Sequence, residues 1–218
     1  MHLEGFDFVP GHPDQIWHSQ GGQVDRYRLS GAKAVAGGQP QGALFPVVSR
    51  QTSAARVRVT DLGAVADGKT DCLAAIHKAI SQVVAAGGGT VVFPPAKQPY
   101  LVSGTVVIRS SNVKLSGKGA TIKLADGAAN GTKAKRTTDS QVHVLWVTGK
   151  PNKPVHRVEI RGLTVDANIY RQDDYYNPRA IVVEHGHLVK VRDVTILRPF
   201  VGLDIGAGSS DCEVRGCV

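Results

Sequence analysis

The residues with chemical potential crowd into one short stretch. Positions 166–180, DANIYRQDDYYNPRA, set Asp173 beside Asp174 and surround them with Tyr170, Tyr175, Tyr176, Arg171 and Arg179. Adjacent carboxylates push each other's pKa values apart, so one of the pair can hold a proton while the other stays charged. Arginine forks grip carboxylates through two parallel hydrogen bonds. Tyrosine rings offer flat apolar faces with a polar tip, the kind of surface on which a sugar ring stacks. The plain alternative is a solvated loop whose tyrosines cover the surface beneath. Two further candidates follow in the chain. Asp204 lies in GLDIG, where it is either a site carboxylate or an outward strand residue. His185 and His187 flank Gly186, and an outward H-x-H pair can bind metal or act as acid and base. No third ligand stands near them in sequence, so no metal site is expected. The assignment is therefore Asp173, Asp174, Asp204, Arg179 and His185 as catalytic candidates, with Tyr170, Arg171, Tyr175 and Tyr176 as binding candidates. Asp166 in VDAN reads as a turn-fixing aspartate.

These side chains need a scaffold, and residues 57–124 show which. VRVTDLGA alternates apolar and polar positions (Val57, Val59, then Leu62) and ends in Gly63, a short half-buried strand running into a turn. Asp67-Gly68 marks a second turn. Thr70 stands where a helix N-cap belongs, with Asp71 in the first turn. Leu73, Ile76, Ile80 and Val83 then form one apolar stripe, and Gly87-Gly88-Gly89 ends the helix. The spacing predicts a helix over about 70–86. From residue 90 the period changes to two: TVVFPP, YLVSGTVVI, NVKLSG and ATIKL are strands too close together for helices to fit between them. Copies recur at coil length. Ile181 and Leu203 stand 22 apart, Val191-Arg192 and Val214-Arg215 stand 23 apart, and VEIRGLTV at 158–165 is a third copy. Stacked units of this kind bury an apolar column that no single unit buries alone.

The order V-x-D-x-G-A-x-x-D-G-x-T-D, helix, GGGTV-x-FP, YLVSG, NVKLSG-x-GATI resembles the N-terminal segment of the pectin lyase-like superfamily, in particular the pectate lyase type 3 families. The matching positions include Asp61, Gly63, Asp67, Thr70, Asp71, Gly88, Gly89, Phe93, Pro94, Gly104, Gly117 and Gly119. The resemblance implies an all-β fold: a right-handed parallel β-helix with an N-terminal capping α-helix. It also implies action on an acidic polysaccharide by a lyase, an epimerase or a glycoside hydrolase. The alternative it leaves open is a non-catalytic glycan-binding β-helix such as a tailspike or adhesin, for which a homotrimer would be expected. Alginate epimerase-like relatives carry Pro, His and Glu after the aspartate matching Asp204, whereas Ile205 and Gly206 follow here. The polygalacturonase signature as a whole is absent: Asp173-Asp174 is a D-D pair, but it lies in a loop without the flanking glycines and the later motifs.

Composition sets the remaining bounds. The 218 residues carry 26 Lys or Arg against 18 Asp or Glu, for a net charge of +8. Positions 97–161 hold twelve Lys or Arg and three acids, so the surplus is local. Gathered on one face, it would attract a polyanion. Acidic polysaccharide is the preferred partner over nucleic acid, because no stacking platform accompanies the charge. No apolar run is long enough to span a membrane. The first residues lack the basic start and apolar stretch of a secretory signal. The resemblance implies an extracellular, cell-surface or virion location. No cofactor is expected, and nothing in the residues indicates calcium. Cys72, Cys212 and Cys217 show no zinc or disulfide spacing and read as buried free thiols. Residues 1–56 read as an arm or linker with a few strands such as QVDRYRL, and 57–218 as the β-helix, with 125–140 thrown out as a loop. The last residue falls inside a strand, so the stack is expected to be truncated at its C-terminal end.

Overall fold

The computed structural model describes residues 6–9, 12–20, 23–28, 54–129, 142–172 and 178–218, the first three segments as backbone only. Two compact units divide the chain, Met1–Arg50 and Gln51–Val218. In the first, β1 (Phe6–Val9), β2 (His12–Gln20) and β3 (Gln23–Arg28) form an antiparallel sheet in that order. Gln20 pairs with Gln23, so β2 and β3 make a hairpin whose two linking residues are glycines in the sequence. The packing expected of Phe6, Phe8 and Trp17 lies outside the described side chains.

The second unit is a parallel β-helix. Its strands are β4 (Ala55–Arg58), β5 (Gly89–Val92), β6 (Tyr100–Val102), β7 (Val106–Ile108), β8 (Val113–Leu124), β9 (Leu145–Thr148), β10 (Val155–His156), β11 (Glu159–Asp166), β12 (Arg179–Glu184), β13 (Gly186–His187), β14 (Lys190–Arg192), β15 (Thr195–Leu197), β16 (Val201–Gly206) and β17 (Glu213–Arg215). One face is an eight-stranded sheet ordered β17-β14-β11-β8-β5-β4, with β15 beside β11 and β6 beside β8. A second face is the four-stranded sheet β16-β12-β9-β7, and β10 pairs with β13 between them in the chain path.

The repeats seen in the sequence are the rungs of this stack. Ile181 pairs with Leu203, Val191 with Val214 and Arg192 with Arg215, and Ile160 pairs with Val191. Inward side chains therefore stack like on like. Val91, Leu115, Ile160 and Val191 form one buried column, and Val106, Leu145 and Ile181 form another. Branched aliphatic residues suit this position because strands packed on a shared core want stiff, space-filling side chains. Each fully buried Val, Leu or Ile contributes about 1.5–3 kcal/mol.

Helix α1 (Leu73–Ala85) covers the first coil, burying Ile76, Ala79, Ile80 and Val83, while Leu73 is half-buried. Its cap differs from the expected one. Cys72, not Thr70, is the N-cap residue, and Asp71 precedes the helix instead of lying in its first turn. Thr70 is engaged elsewhere: its N–H and hydroxyl donate to Asp67 at 2.7 and 2.8 Å, and the Lys69 N–H donates to the same carboxylate at 2.8 Å. Hydrogen bonds from Thr70 and Lys69 hold the Asp67 pKa down at about 2. Asp71 accepts the N–H groups of Leu73 (3.0 Å) and Ser103 (3.1 Å) and the Ser103 hydroxyl (2.5 Å), tying the helix start to the next coil. Burial pulls its pKa up, but these hydrogen bonds outweigh burial and leave it below the usual value. The D-G-x-T-D motif is thus a two-aspartate brace for the cap. At the helix exit Gly88 has φ +125°, and an added Cβ would stand 2.6 Å from the Asn112 Cβ, so only glycine lets the chain pass.

The segment expected as a protruding loop at 125–140 falls mostly on residues outside those described. Cys72 is buried, while Cys212 and Cys217 are half-buried, which corrects the expectation of three buried thiols; all three are free. Among the described residues no helix is long and apolar enough to cross a membrane.

Candidate functional site

Side chains on the outer surface of the four-stranded sheet come from successive coils held in fixed register. Asp204 of β16 pairs with Val182 of β12, which pairs with Trp146 of β9, which pairs with Val107 of β7. Arg179, at the start of β12, makes a salt bridge with the carboxylate of Asp204. The arginine side chain is 23% exposed and the aspartate 36%, so the pair is partly desolvated. Arg179 Nε is buried and has no hydrogen-bond partner among the described residues. The guanidinium therefore keeps donor capacity beyond its bond to Asp204.

Beside this pair lies His143, only 1% exposed, whose Nδ1 is buried without a partner among the described residues. Burial lowers its pKa to about 4; the nearby positive charge of Arg179 adds to the drop and Asp204 partly offsets it. The ring is therefore a neutral imidazole at physiological pH. Its ring meets Trp146 edge to face at 6.2 Å. The Trp146 indole N–H donates to Glu184 Oε2 at 3.0 Å, and the Arg109 guanidinium stands 5.4 Å from the ring centroid. His77 of α1 reaches the same sheet, accepting the Val107 N–H at 3.1 Å. Its pKa is lowered, by burial first and also by Arg109, against a raising hydrogen bond that the ring donates to the Thr105 backbone.

Of the residues expected from sequence, the structure brings Arg179 and Asp204 together. His185 follows the far end of β12 from Arg179, in the left-handed region at φ +49°. Its ring lies over Gly208, where an added Cβ would meet Nδ1 at 2.7 Å. His187 is in β13; its Nδ1 contacts Ser210 Oγ at 2.7 Å and Asp211 Oδ2 at 3.0 Å, and its ring meets His156 at 5.2 Å. The two histidines are thus held in separate settings. Tyr170, 79% exposed, and Arg171 lie in the single turn Ile169–Arg171. Asp173, Asp174, Tyr175 and Tyr176 lie outside the described residues. Asp166 is buried and ion-paired with Arg198, and it accepts the Asn168 N–H at 3.0 Å, a turn-fixing role. Among the described residues no group of three or more His, Cys, Asp or Glu is arranged to hold a metal ion.

His143, Trp146, Glu184 and Arg109 were not singled out from sequence. VHVLWV reads as an apolar strand, and only the coil register shows which of its side chains face out. Ile181 pairs with Leu145 at an offset of 36 residues, against 22 for Ile181 and Leu203, so no regular spacing marked this rung in the sequence.

The family model described as rhamnogalacturonase A/epimerase, pectate lyase-like, matches residues 56–204, from the first strand of the stack through Asp204. The chain belongs to this family. The β-helix, its cap and the four-stranded face are therefore those of the pectin lyase-like superfamily, a right-handed parallel β-helix. Mannuronan C5-epimerase AlgE6 of Azotobacter vinelandii is 44% identical over 81 residues, which is 33% of this chain and 9% of that protein. Alginate lyase 7 of the same organism is 37% identical over 120 residues, 46% of this chain and 13% of that protein. Matches thus span a small part of both curated relatives. Among solved structures, the surface adhesin PfbA of Streptococcus pneumoniae superposes with a TM-score of 0.56 at 22% identity, covering 75% of this chain and 38% of that one.

Proposed function

We infer that the chain acts on a uronic-acid polysaccharide outside the cell, at the outer surface of the four-stranded sheet, by taking a proton from C5 of a uronate. The observation that carries this reading is the half-buried Arg179–Asp204 pair beside a neutral, buried His143. A uronate C5 proton becomes removable when the neighbouring carboxylate is neutralised, since the developing negative charge spreads into it. Arg179 supplies that cation, its guanidinium fork being suited to a carboxylate. Asp204 is the base candidate within reach of the same spot, and its release from Arg179 on substrate binding frees its lone pairs. In a lyase the C5–H electrons form the C4–C5 double bond while the C4–O bond breaks and the leaving oxygen takes a proton. In an epimerase the proton returns to C5 from the opposite face. Neither step needs an oxidant or a second reactant.

Two further points support the reading. The curated relatives matching at 44% and 37% identity are named as a mannuronan C5-epimerase and an alginate lyase, which makes polymannuronate the first substrate to test. Glu184, the other carboxylate described on this face, accepts the Trp146 indole N–H, so among the described residues no pair of free acids for hydrolysis stands there.

The test is incubation of polymannuronate with the wild type and with Asp204→Asn, reading unsaturated ends and the ratio of the two C5 epimers. Either product from the wild type, reduced at least about a hundredfold in the variant, is expected. Retention of polymer with neither product would support the adhesin reading, and new saturated reducing ends would support hydrolysis; each would overturn C5 chemistry.

A further inference from the structure

Two columns of charged side chains run side by side up the outer surface of the eight-stranded sheet, and they are built on opposite rules. Lys114, Glu159, Lys190 and Glu213 lie in register on β8, β11, β14 and β17. Their signs alternate, and Lys114 Nζ meets Glu159 Oε2 at 3.0 Å. Alternation across strands is what folding favours. Two residues further along each strand the rule breaks. Arg161, Arg192 and Arg215 occupy one rung on three successive coils, Arg161 paired with Arg192 and Arg192 with Arg215. Coils are about 4.8 Å apart, so these are like charges placed directly opposite one another, which destabilises a sheet.

The acids nearby offset this repulsion unevenly: Glu213, Glu159 and Asp193 favour the charge of the central Arg192 and raise its pKa, while the outer two arginines are more exposed. Arg161 Nε reaches Asp193 Oδ2 at 3.2 Å, and Arg192 reaches Glu213 Oε2 at 2.7 Å. Arg161 and Asp193 are 52% and 57% exposed, so their pair is worth little and exchanges readily for another anion. Arg215 is exposed, with no ion pair given to an acid among the described residues. Buried Arg192 Nε likewise lacks a partner there. Guanidinium groups on three successive coils, exposed at Arg161 and Arg215, are suited to a partner that repeats its negative charge at the same interval.

We propose that the Arg161–Arg192–Arg215 column is a secondary binding surface for a linear carboxylated polysaccharide, separate from the four-stranded face. Each coil advances by about one strand spacing, of the order of a single pyranose ring, so consecutive guanidinium groups meet consecutive sugar carboxylates. No aromatic side chain stands in this column or in the alternating one, so the base-stacking surface of single-stranded nucleic-acid binders is missing. The choice of a uronate polymer rests on the function proposed above; the arginine surface itself does not. The benefit would be retention: polymer held on one face raises the local concentration of chain ends and segments at the other.

The test measures binding of immobilised polymannuronate, with a neutral glucan and duplex DNA as comparison ligands. The variants are Arg161→Gln with Arg215→Gln, and the same two positions changed to Lys. The double Gln variant is expected to bind polymannuronate about tenfold more weakly, from two lost exposed ion contacts. The double Lys variant should recover part of that loss, and the neutral glucan should be held weakly by all. These exposed changes leave the thermal midpoint unchanged or raise it, since repulsion is relieved. Equal binding of wild type and double Gln variant would overturn the proposal. So would tighter arginine-dependent binding of DNA than of polymannuronate, which would make this a nucleic-acid surface. Arginine-dependent retention without any turnover would leave the column standing while the proposed function fell, and turnover with arginine-independent retention would do the reverse.

Discussion

The four-stranded and eight-stranded faces of this β-helix share one core and one coil register, yet they handle charge differently. On the four-stranded face charge is scarce and partly withdrawn from water: Arg179 holds Asp204, Trp146 holds Glu184, and His143 is buried and neutral. On the eight-stranded face charge is abundant, exposed and spread over rungs, with ion pairs such as Arg161–Asp193 open to solvent. On the first face burial is strong enough to lower the His143 pKa to about 4, with Arg179 adding to the drop. Solvent weakens an exposed ion pair such as Arg161–Asp193 on the second, so that only repetition along the stack gives it weight. Under the proposed function, the same scaffold separates a place for chemistry from a place for holding on.

Ways to break that contrast run from the shared core outward. Ile181→Ala removes a fully buried rung of the column beneath the four-stranded face and should cost about 2–5 kcal/mol, read by denaturant unfolding. Loss well below that range would mean the stack closes the gap. Arg179→Ala should lower turnover of a uronate polymer by about a hundredfold or more while leaving the arginine column's polymer retention intact. Equal loss of retention would merge the two faces.

Acid sensitivity separates them further. His143 has a folded pKa of about 4 against an ordinary 6.5, so the unfolded chain binds the extra proton between those values. Its contribution is full above pH 6.5 and is lost as pH falls toward 4, by up to about 3 kcal/mol. Asp67, held at about 2 against 3.8, acts in a lower window: its contribution is present above pH 3.8 and is lost as pH falls through 2. His143→Gln should flatten the unfolding free energy between pH 6.5 and 4 and leave the lower slope. The lower slope belongs to the cap brace, where Asp71 is lowered too, so Asp67→Asn should reduce it and leave the upper slope alone. The smallest expected effect is at the indole. Glu184→Gln replaces a charge-assisted hydrogen bond to Trp146 with a neutral one, costing about 1 kcal/mol and shifting the tryptophan fluorescence.

The stack was legible because its period is written in the chain: the 22- and 23-residue offsets of Ile181, Leu203, Val191 and Val214 are the actual pairings. The helix stripe was legible for the same reason, while its cap was not, since Asp67 draws Thr70 away from the N-cap position through two short hydrogen bonds from Thr70. The antiparallel strands of the first unit were read only at β3, because Gly, Pro and Gln around them mimic a linker. At the site, Asp204 and Arg179 stood out by type, but their meeting across 25 residues depends on coil length. His143 and Trp146 were hidden in an apolar run because facing outward is a property of register, not of composition.

The central claim is proton abstraction at C5, and the most direct measurement is release of label from polymannuronate carrying deuterium at C5. The wild type should pass deuterium to water, whether the product is an unsaturated end or an inverted sugar, and Asp204→Asn should not. Polymer that is shortened or merely bound while its deuterium stays in place would contradict the account.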